Sequence, residues 1–144
     1  MIAKIALVLA AMTAAGAAQA EDPLSDTEGY DVFKKRCRAC HTVAADDGTV
    51  LFKGGRTGPN LYGVIGRTAG SEEDYRYRDD IVAAGEQGLV WDEESFEAYV
   101  QDPTGFLKEY LDDSGARSGM TFKLRDGGVA VYEYLRDVSA DAAG

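Results

Sequence analysis

Two thiols and one imidazole stand close together in the sequence, as Cys37, Cys40 and His41. The order Cys-x-x-Cys-His is the pattern of c-type haem attachment, in which each thiol bonds a haem vinyl group. The adjacent imidazole then lies beneath the iron as its proximal ligand. These residues are also all the cysteine and histidine of the 144-residue chain. The pattern therefore favours one covalently bound haem c.

Two other chemistries use the same residue types. A structural zinc site needs four ligands, and the chain offers two cysteines and one histidine. A Cys-x-x-Cys disulfide oxidoreductase is expected to have a strand before its first cysteine. Ser25 and Glu28 instead have capping-box spacing, which predicts a helix running into the motif. Zinc is disfavoured, and thiol-disulfide exchange stays as an alternative.

Residues 1–20 have the features of a secretory signal peptide. Lys4 precedes an apolar run, and an Ala-Gln-Ala sequence at 18–20 fits a cleavage site. The run is short for a membrane span, so an uncleaved anchor is the less favoured alternative. Cleavage would leave residues 21–144 as one small domain in the periplasm. A domain of this size has a modest core, to which a buried haem would contribute.

The chain is acidic, with a formal net charge of -10 from 15 basic and 25 acidic residues. This balance disfavours nucleic acid as a partner. Basic residues nevertheless cluster near the motif and near Met120: Lys34, Lys35, Arg36, Arg38, Lys53, Arg56, Arg117, Lys123 and Arg125. Such a cluster would steer the protein toward an acidic partner. A solvated charged face explains the same residues equally well.

The rest of the sequence predicts helices and loops. Asp92, followed by two acids, indicates a helix start, and that helix must end before Pro103. A short helix is predicted at 104–111, and a last helix with an apolar face follows Asp126. The residues after His41 are polar and glycine-containing, which predicts a loop. Without a convincing strand pair, the prediction is an all-α domain wrapped around one haem.

Met120 is the candidate for a second iron ligand. Cleavage after residue 20 would remove Met1 and Met12 and leave Met120 as the one methionine. Ligation by His and Met raises the reduction potential of a haem and suits electron transfer. Two alternatives stay open: Met120 fills a gap in the core, or the iron is five-coordinate and binds gas or peroxide. The predicted loop around Met120 favours the ligand.

The sequence resembles the class I c-type cytochromes, and among them the bacterial cytochromes c2 and c550, over nearly all of residues 21–144. The resemblance rests on these ordered matches: Gly29, Phe33, Cys37-Arg38-Ala39-Cys40-His41, Thr57-Gly58-Pro59-Asn60-Leu61, Gly66-Arg67, Tyr77, Trp91, Tyr99, Pro103, Met120-Thr121-Phe122 and Tyr134-Leu135. It implies thioether bonds from Cys37 and Cys40 to the haem, with His41 and Met120 as axial iron ligands.

The resemblance also implies which residues surround the haem. The carbonyl of Pro59 would accept the other ring N–H of His41 and so orient the imidazole. Tyr99 matches the tyrosine beside the methionine sulfur. Three hydrogen-bond donors match positions that bind a haem propionate or its neighbours: Arg67, Tyr77 and Trp91.

By the same resemblance, the protein would be a monomeric periplasmic carrier of single electrons rather than an enzyme. It would receive electrons from the cytochrome bc1 complex and deliver them to a photosynthetic reaction centre or a terminal oxidase, docking only transiently. Gly119 departs from the family pattern, because relatives often have Lys at this position. This departure weakens the expectation that the protein docks through the same ring of lysines as the family. The competing class is a haem peroxidase or gas-binding sensor in which Met120 leaves the iron.

Overall fold

The computed structural model describes residues 22–143, with side chains through residue 140. The predicted signal peptide and its cleavage site lie outside the described residues. The elements in order are α1 (Glu28–Val32), a π-helical turn (Phe33–Cys37), β1 (Val43–Ala44), β2 (Val50–Phe52), α2 (Asp79–Glu86), α3 (Glu93–Gln101), α4 (Pro103–Tyr110) and α5 (Gly128–Ala143). None of these described helices is long and apolar enough to cross a membrane.

The starts of α3 and α4 follow from local capping. The Asp92 carboxylate accepts the N–H of Ser95 at 2.8 Å, and the Ser95 hydroxyl accepts the N–H of Asp92 at 3.0 Å. This reciprocal pair satisfies two donors at the start of α3. At α4 the cap is one-sided: the Asp102 carboxylate accepts the N–H of Gly105 at 3.2 Å, and Pro103 stands in the first turn. Both predicted helices are confirmed, and the two helices pack against each other.

Three local features differ from the predictions. The N-cap of α1 is Thr27 rather than Ser25, because the Thr27 hydroxyl accepts the N–H of Tyr30 at 3.2 Å. The predicted loop after His41 contains a short antiparallel hairpin formed by β1 and β2. Helix α2 was not predicted, since its N-cap residue Arg78 makes no side-chain capping bond. The helix-rich fold is confirmed, with a small sheet added to it.

The first and last helices cross at Gly29, where their backbones approach closely. A Cβ on Gly29 would lie 2.1 Å from the carbonyl oxygen of Ala130. Around this crossing, aromatic rings from α1, the π-helical turn, the hairpin and α5 pack together with centroids 4.9 to 5.8 Å apart: Tyr30, Phe33, Phe52 and Tyr134. Phe33 is the first residue of the turn that ends at Cys37, so this cluster packs the segment leading into the motif against α5.

The start of the described chain is also attached to α5. Asp22 is 7% exposed, and its carboxylate accepts hydrogen bonds from the Tyr134 hydroxyl and from the N–H of Leu24. Burial, and then the hydrogen bond to Asp22, raise the pKa of Tyr134 above its usual value. The buried carboxylate is therefore satisfied by two donors, as a buried charge requires.

We predict that Gly29→Ala destabilises the fold. Alanine favours a helix over glycine by about 1 kcal/mol, but its Cβ would collide with the backbone of α5. The expected net loss is about 2 kcal/mol or more in the free energy of unfolding, measured by denaturant titration.

The matched control is Gly119→Ala, where the nearest atom to the new Cβ is Cδ of the flexible Arg78 side chain at 3.4 Å. This control should stay within about 0.5 kcal/mol of the parent. Equal stabilities for the two variants would contradict the close approach of α1 and α5.

Candidate functional site

The cysteine motif forms a tight turn at the end of the π-helical segment. The carbonyl of Cys37 accepts the N–H of Cys40 at 3.1 Å and that of His41 at 3.0 Å. Both cysteines have free thiols; the Cys37 side chain is half-buried and that of Cys40 is exposed. The turn thus holds two unpaired thiols and the imidazole in one short segment.

The environment of Cys37 does not suit thiol-disulfide exchange. Burial, reinforced by the neighbouring charge of Cys40, raises the pKa of the Cys37 thiol to about 12. Thiol oxidoreductases need the opposite shift, because the thiolate is the attacking species. A strand before the first cysteine, which that alternative requires, is also not present in the described chain, where a helix leads into the motif.

Within the described residues, no group of three or more His, Cys, Asp or Glu side chains is arranged to hold a metal ion by itself.

The imidazole of His41 is oriented by one backbone acceptor. Its Nδ1 lies 2.8 Å from the carbonyl oxygen of Pro59. A carbonyl can only accept, so Nδ1 carries a proton, and in the neutral ring Nε2 then keeps its lone pair. Burial lowers the pKa of His41, and the hydrogen bond to Pro59 opposes this shift. The lowered pKa favours the neutral imidazole with a free Nε2, which is the form that binds a metal ion.

The backbone at Gly58 covers the same imidazole. A Cβ on Gly58 would lie 2.4 Å from Cε1 of His41, so only glycine permits this contact. The N–H of Gly58 also donates to the carbonyl of Cys40 at 2.8 Å. The loop that supplies Pro59 is thus fastened directly onto the motif, and it leaves the ring of His41 little room to turn.

Arg67 joins the loop after Pro59 to the rest of the site. Its guanidinium donates to the carbonyl of Asn60 at 3.0 Å and to the carboxylate of Glu72 at 2.5 Å. Both ionic side chains are mostly buried, at 18% and 21% exposed, which strengthens their interaction relative to a surface pair. Glu72 was not predicted as a site residue. Sequence spacing alone gives no signal for it, because it lies in an irregular loop.

Tyr77 and Trp91 lie beside Arg67. The backbone N–H of Trp91 donates to the backbone carbonyl of Arg67 at 3.1 Å. Tyr77 is half-buried; burial raises its pKa, and the charge of Arg67 opposes that shift. Trp91 is therefore joined to Arg67 through the backbone and Tyr77 lies within reach of its charge, while Glu72 is the carboxylate that pairs with Arg67.

The Met120 loop is held by a buried pair of hydroxyls. The Tyr99 hydroxyl lies 2.7 Å from the Ser118 hydroxyl, and Ser118 Oγ accepts the N–H of Met120 at 3.0 Å. The N–H of Ser118 in turn donates to Thr104 Oγ1 at 3.1 Å. Ser118 was not predicted, although a serine two residues before a loop residue commonly makes this bond. The backbone of the half-buried Met120 is thereby held in place by the Ser118 hydroxyl.

A continuous series of contacts connects the two predicted iron ligands, partly through predicted site residues and partly through Asn60 and Ser118. The ring of Tyr99 packs on Trp91 at a centroid distance of 4.9 Å, which joins the Met120 loop to Arg67. In order, the connected residues are His41, Pro59, Asn60, Arg67, Trp91, Tyr99, Ser118 and Met120. The donor set is a free imidazole nitrogen, a thioether and two unpaired thiols, which fits a covalent haem c.

The predicted basic residues are all exposed: Lys34, Lys35, Arg36, Arg38, Lys53, Arg56, Arg117, Lys123 and Arg125. Two contacts relate them to the site. The carbonyl of Arg38 accepts the N–H of Gly55 at 2.8 Å, which brings Arg38 next to the segment containing Lys53 and Arg56. Lys123 is paired with Asp102 at 2.9 Å, so its charge is partly neutralised within the chain.

Known proteins resemble this chain in sequence and in fold. Cytochrome c-551 of Roseobacter denitrificans is 49% identical over 143 residues, covering 99% of this chain and all of that protein. Cytochrome c2 of Rhodobacter capsulatus is 50% identical over 133 residues, covering 92% and 90%. The solved structure of that cytochrome c2 superposes with a TM-score of 0.74 and 53% identity, covering 76% of this chain and 94% of the other. No protein-family model matches the chain.

We predict that the Tyr99 phenol makes stability depend on pH above neutrality. Burial raises the pKa of Tyr99 to about 12, although its hydrogen bond to Ser118 acts in the other direction. An unfolded tyrosine loses its proton near pH 10. As the pH rises from about 10 to 12, the unfolded state is therefore favoured by up to ~1.4 kcal/mol per pH unit.

Tyr99→Phe should lower stability by about 1 to 2 kcal/mol at neutral pH, because it leaves Ser118 without its partner, and should remove this contribution to the alkaline slope. Ser118→Ala is the matched control: it breaks the same bond but keeps the phenol and hence the slope. Denaturant titrations between pH 7 and 12 measure both quantities. Equal slopes for Tyr99→Phe and the parent would contradict the shift.

Proposed function

The chain belongs to the cytochrome c2 and c-550 group of class I c-type cytochromes, and from this premise we propose that it is an electron carrier with one covalent haem c. The observation that carries the proposal is the neutral imidazole of His41, oriented by Pro59 with Nε2 free, beside two unpaired thiols. When bound, the haem supplies an iron that gains and loses a single electron.

In this proposal each site residue has one task. Cys37 and Cys40 would hold the haem covalently, and Nε2 of His41 would bind its iron. The sulfur of Met120 would be the second iron ligand, and the Met120 loop is held by Ser118 and Tyr99. Pro59 fixes the imidazole, while Arg67, Tyr77 and Trp91 would provide hydrogen-bond donors and positive charge to the propionates. Two protein ligands would leave the iron no coordination site for a substrate, which supports a carrier over an enzyme.

We further propose that the protein works in the periplasm after cleavage at residue 20. The cytochrome bc1 complex would reduce it, and a photosynthetic reaction centre or a terminal oxidase would oxidise it. The signal-like residues 1–20 support the location. The exposed basic residues near Cys37 and Met120 support docking onto acidic surfaces of membrane partners, since they stand on a chain of net charge -10. The proposed carrier is a monomer.

The ligand assignment predicts a six-coordinate, low-spin absorption spectrum with the near-infrared band of methionine ligation. Met120→Ala should abolish that band and give a high-spin species, because the second axial ligand is lost. Phe122→Ala is the control: its ring is 42% exposed in the same loop, and the band should persist. A parent spectrum that is high-spin, or one unchanged by Met120→Ala, would favour the peroxidase or gas-binding alternative.

The docking hypothesis predicts a dependence on ionic strength. The second-order rate of oxidation by isolated reaction centre or oxidase should fall as salt rises from about 10 to 300 mM, because salt screens attraction between the basic residues and the partner. Stopped-flow measurement on the reduced holoprotein gives the rate. Rates that rise with salt, or stay constant, would reject docking through basic residues while leaving electron transfer itself intact.

A further inference from the structure

The last turns of α5 contact the loop that orients His41. The hydroxyl of Ser139 accepts the backbone N–H of Gly63 at 2.8 Å. The hydroxyl of Tyr62 donates to the backbone carbonyl of Ser139 at 3.4 Å. We refer to residues 59–63 as the Pro59 turn. Its far end is therefore held by a helix that lies far away in the sequence.

The geometry of this contact is fixed on both sides. The Ser139 hydroxyl donates to the carbonyl of Leu135, one turn earlier in α5, at 3.0 Å. That bond selects the rotamer in which the same oxygen accepts from Gly63. Gly63 has φ +68°, in the left-handed region that favours glycine. A sharp bend of the chain therefore presents the N–H of Gly63 to the end of α5.

The Pro59 turn is one hydrogen-bonded unit. The N–H of Tyr62 donates to the side-chain oxygen of Asn60 at 3.1 Å. The guanidinium of Arg67 donates to the carbonyls of Asn60 and Tyr62, at 3.0 and 3.2 Å. Because these bonds join successive peptide groups, a displacement at Gly63 is passed along the turn to the peptide group between Pro59 and Asn60.

We propose that Ser139 is a positioning residue for His41, because it holds the turn whose carbonyl orients the imidazole. The proposal rests on the proposed role of His41 as an iron ligand. The carbonyl of Pro59 accepts from Nδ1 of His41 at 2.8 Å, and such a bond makes the imidazole a more basic ligand. Loosening the Pro59 turn weakens that bond. The end of α5 thereby influences the reduction potential of the site.

The test compares Ser139→Ala with the parent, both as haem-loaded proteins. The variant leaves the N–H of the exposed Gly63 without its acceptor, so this amide should exchange with solvent about 5-fold faster in NMR measurements. The Nδ1 proton of His41 should exchange about 3-fold faster. The reduction potential should rise, because a less basic imidazole stabilises the oxidised iron less.

Two further variants distinguish positioning from stability. Ser139→Thr should restore all three values, since threonine keeps the hydroxyl and can also bond the carbonyl one turn earlier. Ser95→Ala is the matched control, because it too removes a hydroxyl that accepts a backbone N–H, that of Asp92 at 3.0 Å. It should lower the free energy of unfolding to a similar degree and leave the exchange of Gly63 and His41, and the potential, as in the parent.

The outcomes separate this proposal from the proposed function. If Gly63 exchanges faster in Ser139→Ala while the His41 proton and the potential match the parent, Ser139 has a structural role only and the proposal is wrong. Unchanged exchange at Gly63 would also overturn it, because the contact would then not hold the turn. A parent spectrum without histidine ligation contradicts the proposed function itself, which the exchange of Gly63 does not test.

Discussion

The hydrogen bond from Nδ1 of His41 to the carbonyl of Pro59 is the contact on which the rest of the site depends. The chain has one histidine, so no second imidazole can replace it. The bond decides which ring nitrogen is free, and it requires the Gly58–Pro59 backbone to lie directly on the motif. The position of Arg67 depends on the same loop, because its guanidinium donates to the carbonyl of Asn60, the residue after Pro59.

The Met120 half of the site is also held by hydrogen bonds of buried polar side chains, here two hydroxyls in place of an imidazole. Tyr99 and Ser118 satisfy each other in the core, and Ser118 also serves the backbone of Met120. Within the described residues, no buried side-chain nitrogen or oxygen lacks a hydrogen-bond partner. A site built this way has few alternative arrangements, because moving any member leaves a buried polar group unpaired.

Elements with local signals were predictable from the sequence. Asp92 and Pro103 place the starts of α3 and α4, and the motif spacing indicates the cofactor. The hairpin and α2 were missed because β1 and β2 together span five residues and Arg78 gives α2 no capping bond. Glu72 and Ser118 were missed for another reason: their partners Arg67 and Tyr99 are brought to them only by the packing of irregular segments.

The contact between Asp22 and Tyr134 links the two ends of the described chain in the folded protein. Together with the crossing at Gly29, this contact means that the first described residues are held in place by packing against α5. A chain without α5 cannot bury Asp22 or Phe33 in this way, because both pack against Tyr134 of that helix. The part of the core that lies under the haem-binding motif is therefore complete only when both ends of the described chain are present.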